Sequence, residues 1–154
     1  MSRQQKHKNR ILSKYKDDSP ESIECRRIYE KLRRLNPSYL IKNIMITSSI
    51  SSEGKSVIST LLSITCARYK EGKTLLIDCD LRRPTIHKII GLEKDNGVAE
   101  ILKGEASPLK TIKDTTIENL KIITCGNVEE SPTKLLNLSR IEKLSEELKN
   151  NFET

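Results

Sequence analysis

The chain has 154 residues, and its 28 lysines and arginines against 21 aspartates and glutamates give a formal net charge of +7. Hydrophobic residues make up 35% of it and aromatic residues 3%, so one domain with a modest aliphatic core is expected. Six glycines and five prolines exclude a collagen-like or low-complexity chain. No segment is apolar for the roughly 18–20 residues that a membrane span needs, and no apolar signal segment is visible, so we expect a cytoplasmic protein.

The positive charge lies in the N-terminal part of the chain. Residues 1–43 carry 12 basic and 5 acidic side chains, which accounts for the whole excess of seven. The first 16 residues hold six basic side chains and no acid, a composition with too little apolar surface to order itself. We expect a disordered tail over residues 1–18 and a folded domain over residues 19–154. Binding of the tail to anionic lipid or nucleic acid is an alternative to a solvated tail, but a nucleic-acid partner is not expected.

The four cysteines do not indicate a metal site or a disulfide framework. They contain no CxxC pair and lie far apart in apolar or mixed segments, at Cys25, Cys66, Cys79 and Cys125. We expect all four to be reduced.

The first predicted element is a helix that begins at residue 20. Ser19 is a candidate N-cap, Pro20 suits the first helical position and Glu21 the first turn. The helix is expected to end before Asn36-Pro37. Its predicted apolar face consists of residues at helical spacing, Cys25, Ile28, Leu32 and Leu35.

A strand–helix–strand unit follows. Residues 43–47 are a predicted buried strand that leads into the polar loop SSISSEGKS, and residues 74–77 are a second one. The helix between them is expected to end near Gly72, which is a C-cap candidate. Its apolar residues are Val57, Ile58, Leu61, Leu62, Ile64 and Ala67. Such a unit predicts two parallel strands with a right-handed crossover.

The rest of the chain continues this alternation. Short helices are predicted over residues 85–90 and 97–103, and a third strand over residues 120–124. Pro132 opens another short helix, and the last helix has an apolar face of Ile141, Leu144 and Leu148. The predicted fold class is α/β, with a parallel sheet and flanking helices.

The most specific local signal is Glu53-Gly54-Lys55-Ser56, between a predicted strand and a predicted helix. A phosphate-binding loop needs this placement, because helix N–H groups, a permissive glycine, an ammonium group and a hydroxyl for Mg²⁺ then converge on one polyphosphate. The pattern GxxxxGK[ST] is not fully met, since Ser49 replaces its first glycine. A surface turn at a helix start is the alternative interpretation.

Two carboxylates follow the second predicted strand, in LLIDCDLR. Asp78 and Asp80 fall at its carboxyl end, where ligands bind in open parallel α/β sheets. The two side chains would face Mg²⁺ and an attacking nucleophile beside the loop. A solvated turn is the alternative.

These motifs together resemble the Walker A and Walker A′ pair of the bacterial tyrosine kinases of capsule and exopolysaccharide synthesis. The family's loop reads TSS-x-PGEGKST and its second motif DxDLRRP, and this chain has TSSISSEGKSV and IDCDLRRP. The segments GLEKDNGVAEILKG and NLKIITCGNVEESPTKLL also resemble family stretches, so the similarity covers about residues 19–154. The resemblance implies a P-loop NTPase-like sheet, ATP and Mg²⁺ as ligands, and transfer of the γ-phosphoryl group to tyrosine.

The resemblance also assigns roles to residues. Lys55 would neutralise charge on the transferring phosphate, Ser56 and Asp80 would hold Mg²⁺, and Asp78 would orient or deprotonate the tyrosine hydroxyl. Arg82 matches one of a pair of family arginines, for which nucleotide contact and a structural salt bridge both remain open. The remaining loop residues would surround the nucleotide: Ser51, Ser52, Glu53, Gly54 and Val57.

The loop departs from the family at three positions. Ser51 and Ser52 replace proline and glycine, and a serine in a left-handed conformation costs on the order of 1–2 kcal/mol. Val57 replaces a threonine that usually contacts the α-phosphate. We expect these changes to weaken nucleotide binding. The absence of a lysine at Ser51 argues against the related partition, septum-placement and iron–sulfur ATPases.

Two further departures concern the ends of the domain. The family's Glu-x-x-Arg-x-x-Arg pattern falls on Arg27, Glu30 and Arg33, with two charges reversed, so ring assembly is not expected; pairing of Glu24 with Arg27 and of Glu30 with Arg33 within the helix is the simpler interpretation. After residue 154 the family continues into a strand ending in IDTPP, which carries the Walker B carboxylate, and later into a tyrosine-rich tail. We therefore expect a partial domain that stops before the Walker B strand.

The resemblance implies a protein-tyrosine autokinase that regulates capsular or exopolysaccharide synthesis. Its expected partners are a membrane-embedded polysaccharide chain-length regulator that activates it and tyrosine-containing protein substrates, with possible self-association. Its expected location is the cytoplasm, peripheral at the inner face of the membrane. A catalytically silent nucleotide-binding or regulatory module is the alternative function.

Overall fold

A computed structural model of the chain describes residues 12, 15–35, 43–69, 72–129 and 131–149. Its helices are α1 Pro20–Leu35, α2 Lys55–Tyr69, α3 Ile86–Ile90, α4 Val98–Lys103, α5 Pro108–Thr111, α6 Pro132–Leu135 and α7 Leu138–Lys149. Its strands are β1 Thr74–Ile77, β2 Lys113–Asp114 and β3 Leu120–Ile123. No helix in these ranges is long and apolar enough to cross a lipid bilayer.

The three strands form one small sheet in the order β1-β3-β2. β1 and β3 are parallel, with Thr74 opposite Leu120 and Ile77 opposite Ile123. A parallel pair in an α/β fold is thus confirmed, but its strands are β1 and β3 and not the predicted residues 43–47 and 74–77. β2 was not predicted; it pairs antiparallel with β3, so the sheet is mixed.

Helices cover both faces of this sheet because successive strand side chains point to opposite sides. Ile122 packs with α1 and α2 in one apolar cluster, whereas the next residue, Ile123, packs with α4 and α7 in the other. Both side chains are fully buried. Complete burial of such a side chain stabilises a fold by about 1.5–3 kcal/mol, so β3 is central to the core.

The predicted strand at residues 43–47 is wrong. These residues belong to no strand of the described chain, and Met45 is 87% exposed. The apolar run predicted burial, but burial needs a neighbouring strand on each side. The described sheet ends at β1 and supplies no partner for this segment.

The helix α1 confirms its predicted bounds but buries a different face. Cys25 is buried as expected, whereas Ile28 is 42% and Leu35 68% exposed. Tyr29 takes their place, and its hydroxyl donates to the carbonyl of Tyr69 at 3.2 Å. An aromatic side chain that reaches α2 therefore displaces the aliphatic residues from the contact.

Two other predicted core residues are also partly exposed, since Ile58 is 42% and Ile141 40% exposed. The described part of α2 ends at Tyr69, and residues 70 and 71, which precede the predicted end near Gly72, lie outside the described ranges.

Part of the predicted tail packs on the domain. Tyr15 is 5% exposed, and its hydroxyl donates to the carbonyl of Leu61 at 3.1 Å and lies 2.5 Å from the hydroxyl of Thr65. Asp17 forms an ion pair with Arg68 at 2.6 Å. Packing against α2 thus begins at least five residues before α1. Residues 1–11, 13 and 14 lie outside the described ranges.

Candidate functional site

The polar loop enters the first turn of α2, as the sequence predicts. Ser52 has a φ of 68° and Gly54 a φ of 88°. The left-handed conformation expected for a strained serine is therefore present at Ser52, at a cost of about 1–2 kcal/mol. Strain of this kind is retained where the surroundings determine the loop shape, and it is frequent at ligand sites.

Lys55 and Ser56 are the first residues of α2, and both are half-buried. The amide of Ile58 donates to the carbonyl of Gly54 at 2.9 Å, so the helix begins directly at the loop. The amide groups of the first turn have no partner within a helix and favour an anion. The hydroxyl of Ser56 donates to no residue in the described part of the chain. Val57 follows, also half-buried, while Ser51 and Glu53 are exposed.

The ammonium group of Lys55 is held inside the loop. It donates to the hydroxyl oxygen of Ser48 at 2.8 Å, and that hydroxyl donates to the carbonyl of Ile50 at 2.9 Å. The amide of Ile50 lies 3.4 Å from a carboxylate oxygen of Glu53. Ser48 was not among the predicted site residues. No local pattern identifies it, because its contact with Lys55 depends on the curvature of the loop.

Asp78 is the buried acid of the site. It is 1% exposed, and its Oδ1 accepts the amide of Asp80 at 3.1 Å. Its Oδ2 is buried and accepts no hydrogen bond within the described chain. Burial is the main cause that raises the pKa of Asp78 from its usual 3.8 to about 6, and the nearby charge of Asp80 raises it further. A carboxyl of this kind changes protonation near neutral pH.

Asp80 caps the turn that follows β1. One of its oxygens, Oδ1, accepts the amides of Arg82 at 3.2 Å and Arg83 at 2.9 Å. The guanidinium groups of both arginines are exposed and form no ion pair in the described ranges. The salt-bridge interpretation of this arginine pair is therefore wrong for the described chain. Their backbone shapes the turn, and their side chains remain available to a ligand.

The two motifs lie at the same end of the sheet. α2 is followed by β1 after a short connection and packs against it, so the first turn of α2 is beside the carboxyl end of β1. The amide of Asp78 donates to the carbonyl of Ile123 at 2.9 Å, which places the ends of β1 and β3 side by side. Lys55, Ser56, Asp78 and Asp80 thus belong to one edge.

A buried carboxylate holds the segment after β3 at the same edge of the sheet. Glu100 accepts the amide of Gly97 at 2.7 Å with Oε2 and the amide of Asn127 at 2.8 Å with Oε1. Burial raises the pKa of the neighbouring thiol, Cys125, to about 12, and the charge of Asp78 adds to this effect. Glu100 was not predicted, although an acid three residues after a helix N-cap is a known capping signal.

The donor set suits Mg²⁺ bound together with a polyphosphate. No group of three or more His, Cys, Asp or Glu side chains converges within the described ranges. Mg²⁺ at nucleotide sites uses one or two protein ligands, phosphate oxygens and water, so a full protein cage is not required. Three groups fit this requirement, because each has an oxygen that accepts no hydrogen bond in the described chain: the carboxylates of Asp78 and Asp80 and the hydroxyl of Ser56.

Similar proteins were found among sequences and solved structures, whereas no family model matches the chain. The chain is 32% identical over 155 residues to the putative tyrosine-protein kinase CapB of Staphylococcus aureus, covering 96% of this chain and 66% of that protein. It is 28% identical over 137 residues to the tyrosine-protein kinase YwqD of Bacillus subtilis, covering 89% of this chain and 57% of that protein.

Solved structures have the same fold. The chimerical protein CapA2B2 superposes with a TM-score of 0.81 at 29% identity, over 92% of this chain and 62% of that one. The kinase domain of Escherichia coli tyrosine kinase ETK gives a TM-score of 0.74 at 25% identity, over 99% of this chain and 64% of that one. The chain therefore spans 57–66% of the length of these four relatives. By sequence and fold it belongs to the family of bacterial tyrosine kinases of capsule and exopolysaccharide synthesis.

Proposed function

We propose that the chain forms the ATP-binding part of a protein-tyrosine kinase that transfers the γ-phosphoryl group of ATP to a tyrosine hydroxyl. The observation that carries this proposal is the position of Lys55 and Ser56 at the start of α2, beside the buried Asp78 at the end of β1. In such a reaction positioning and charge neutralisation supply most of the catalysis.

The loop binds and orients the triphosphate. The amides of Gly54 and of the first turn of α2 donate hydrogen bonds to phosphate oxygens. Lys55 neutralises charge on the β- and γ-phosphates. Ser51, Ser52, Glu53 and Val57 form the rest of the loop around the nucleotide. The exposed guanidinium of Arg82 contacts the nucleotide from the turn after β1.

The acids act on the metal and on the acceptor. Ser56 and Asp80 would hold Mg²⁺, which when bound would stabilise the charge on the leaving diphosphate. Asp78 accepts the proton of the tyrosine hydroxyl as the new O–P bond forms and the bond to the departing ADP oxygen breaks. Its pKa of about 6 suits a general base near neutral pH, because the group is mostly ionised there and its conjugate acid is not too weak.

The test is phosphorylation of tyrosine in Mg²⁺-ATP, measured with a phosphotyrosine antibody and with labelled ATP. Lys55→Met should abolish transfer, whereas Lys73→Met, at an exposed lysine outside the loop, should leave it unchanged. Since the chain spans only part of its relatives, the assay should include a chain extended by the family's strand ending in IDTPP. Transfer that survives Lys55→Met would overturn the proposal.

A catalytically silent nucleotide-binding module is the second candidate. The strained Ser52 and the valine at position 57 favour it, because both weaken the loop's contacts with a nucleotide. Binding of ATP without turnover, in this chain and in the extended one, would select this candidate. Robust phosphoryl transfer would exclude it.

We further propose that the chain works at the inner face of the membrane with a membrane-embedded polysaccharide chain-length regulator, and that its substrates are tyrosine-containing proteins, including other copies of itself. The family membership and the basic residues 1–16 support this location. Adding the cytoplasmic segment of such a regulator to the kinase assay should raise the rate. An unchanged rate and no co-purification would contradict this partner.

A further inference from the structure

The ammonium group of Lys55 has a defined partner before any nucleotide binds. Its Nζ donates to the hydroxyl oxygen of Ser48, seven residues earlier, at 2.8 Å, and both residues are half-buried. A lysine side chain loses much of its rotamer entropy when it is held in one place. The contact with Ser48 means that part of this loss has already occurred in the nucleotide-free loop.

The Ser48 hydroxyl is itself oriented. Its proton is donated to the carbonyl of Ile50 at 2.9 Å, so its lone pairs are directed to Lys55. Ile50 is in turn held through its amide by Glu53 at 3.4 Å. A hydroxyl that donates elsewhere can only accept from the ammonium group, and an ammonium group has three protons. Two protons of Lys55 therefore remain for phosphate oxygens.

We propose that Ser48 is a positioning residue for Lys55: its hydroxyl holds the ammonium group over the loop so that the two remaining N–H bonds face the terminal phosphates of the nucleotide. This inference rests on the proposed function only for its effect on ATP, since the arrangement of Lys55 exists without ligand. Loss of one hydrogen bond to a partly exposed charged group corresponds to about threefold to tenfold in affinity.

The first experiment needs no nucleotide. Lysines of the full chain are reductively methylated with ¹³C-formaldehyde, and the Lys55 resonance is assigned as the one that Lys55→Met removes. A dimethylated amine still has one N–H to donate to Ser48. The Lys55 resonance should move in Ser48→Ala and stay in place in Ser48→Thr, which keeps the hydroxyl. The matched control is Ser49→Ala, because the exposed Ser49 forms no hydrogen bond in the described chain.

The second experiment measures ATP affinity by calorimetry. Ser48→Ala should weaken ATP binding threefold to tenfold, and Ser48→Thr should restore it. Ser107→Ala, at an exposed serine outside the loop, should have no effect. In a double-mutant cycle, Ser48→Ala should change nothing further once Lys55 is replaced by methionine. Equal thermal melting of the wild-type, Ser48→Ala, Ser48→Thr and Ser107→Ala chains shows that the loop change is local.

The outcomes separate this inference from the proposed function. An unmoved Lys55 resonance in Ser48→Ala overturns the inference whether or not ATP binds. A moved resonance in a wild-type chain that binds no ATP supports the positioning contact and rejects the proposed function. If ATP binds and Ser48→Ala weakens it equally with and without Lys55, Ser48 acts on the loop as a whole and the inference is wrong.

Discussion

The carboxylate of Asp78 accepts the amide of Asp80 at 3.1 Å with one oxygen, while its other oxygen is buried and accepts no hydrogen bond in the described chain. Half of this carboxyl is thus satisfied by the turn that it helps to form. The other oxygen has no hydrogen bond to replace the water it lost. The nearby amide of Ile86 offsets only part of that cost, which falls on the folded state. Such a cost is common at functional sites, where residues are selected for chemistry at the expense of stability.

Replacing Asp78 by asparagine should stabilise the fold at neutral pH. The pKa of Asp78 is about 6 in the folded chain, above its usual 3.8. The unfolded chain therefore loses the proton first, and folding stability contributed by this group is present below pH 4 and lost as the pH rises to about 6. Asp78→Asn should gain up to about 3 kcal/mol above pH 6 and nothing near pH 4.

Urea unfolding at pH 4, 5, 6 and 7.5 measures this difference, with Asp18→Asn, at an exposed acid, as the control. A gain that is the same at every pH would show that the charge of Asp78 is not its cause. The same variant should lose phosphoryl transfer, which separates stability from activity.

The close approach of Gly97 to the end of β3 predicts a second result. A methyl group at Gly97 would overlap the carbonyl oxygen of Thr124, which is backbone and cannot rotate away. Gly97→Ala should therefore cost more than about 2 kcal/mol of unfolding free energy. Gly104 is the control, because a methyl group there meets open space and adds only the strain of a φ of 83°, about 1 kcal/mol. Equal losses in the two variants would contradict the overlap.

Tyr15 gives a prediction about the segment before α1. Tyr15→Phe removes the hydroxyl that bonds to Leu61 and Thr65, and it should cost about 1 kcal/mol. Tyr69→Phe is the matched change, since that hydroxyl bonds to no residue in the described ranges, and it should be neutral. Thermal or urea unfolding compares the two variants. A neutral Tyr15→Phe would mean that the segment does not pack on α2 in solution.

Arg82 allows binding to be separated from folding. Only its backbone amide takes part in the turn, through Asp80, so Arg82→Ala should change the unfolding free energy by less than about 0.5 kcal/mol. ATP affinity should fall, because the exposed guanidinium is proposed to contact the nucleotide. Calorimetric titration of ATP into the wild-type and Arg82→Ala chains tests this. A stable variant with unchanged affinity would remove Arg82 from the site.

Local patterns in the sequence were sufficient for most elements and for the motif residues. The helices α1, α4 and α6 and the strands β1 and β3 occur where capping residues and apolar spacing predict them. The strain at Ser52 was also predictable, because a serine stands at the glycine position of a loop that needs a left-handed residue. Each of these features depends on neighbours within a few residues. Capping residues, turn residues and apolar spacing can therefore be recognised in the sequence.

The sequence by itself therefore determined the order of helices and strands, the phosphate-loop motif and the two acids after β1. Tertiary structure decided what those residues meet. The run at 43–47 is as apolar as a buried strand, yet it is exposed because burial depends on a partner strand that no local pattern encodes. Three hydrogen bonds also depend on tertiary structure: Tyr15 with α2, Glu100 with Asn127, and Ser48 with Lys55. They exist because the fold brings groups that are separated along the chain within hydrogen-bond distance. The chemistry of each residue alone does not specify which partner it will contact.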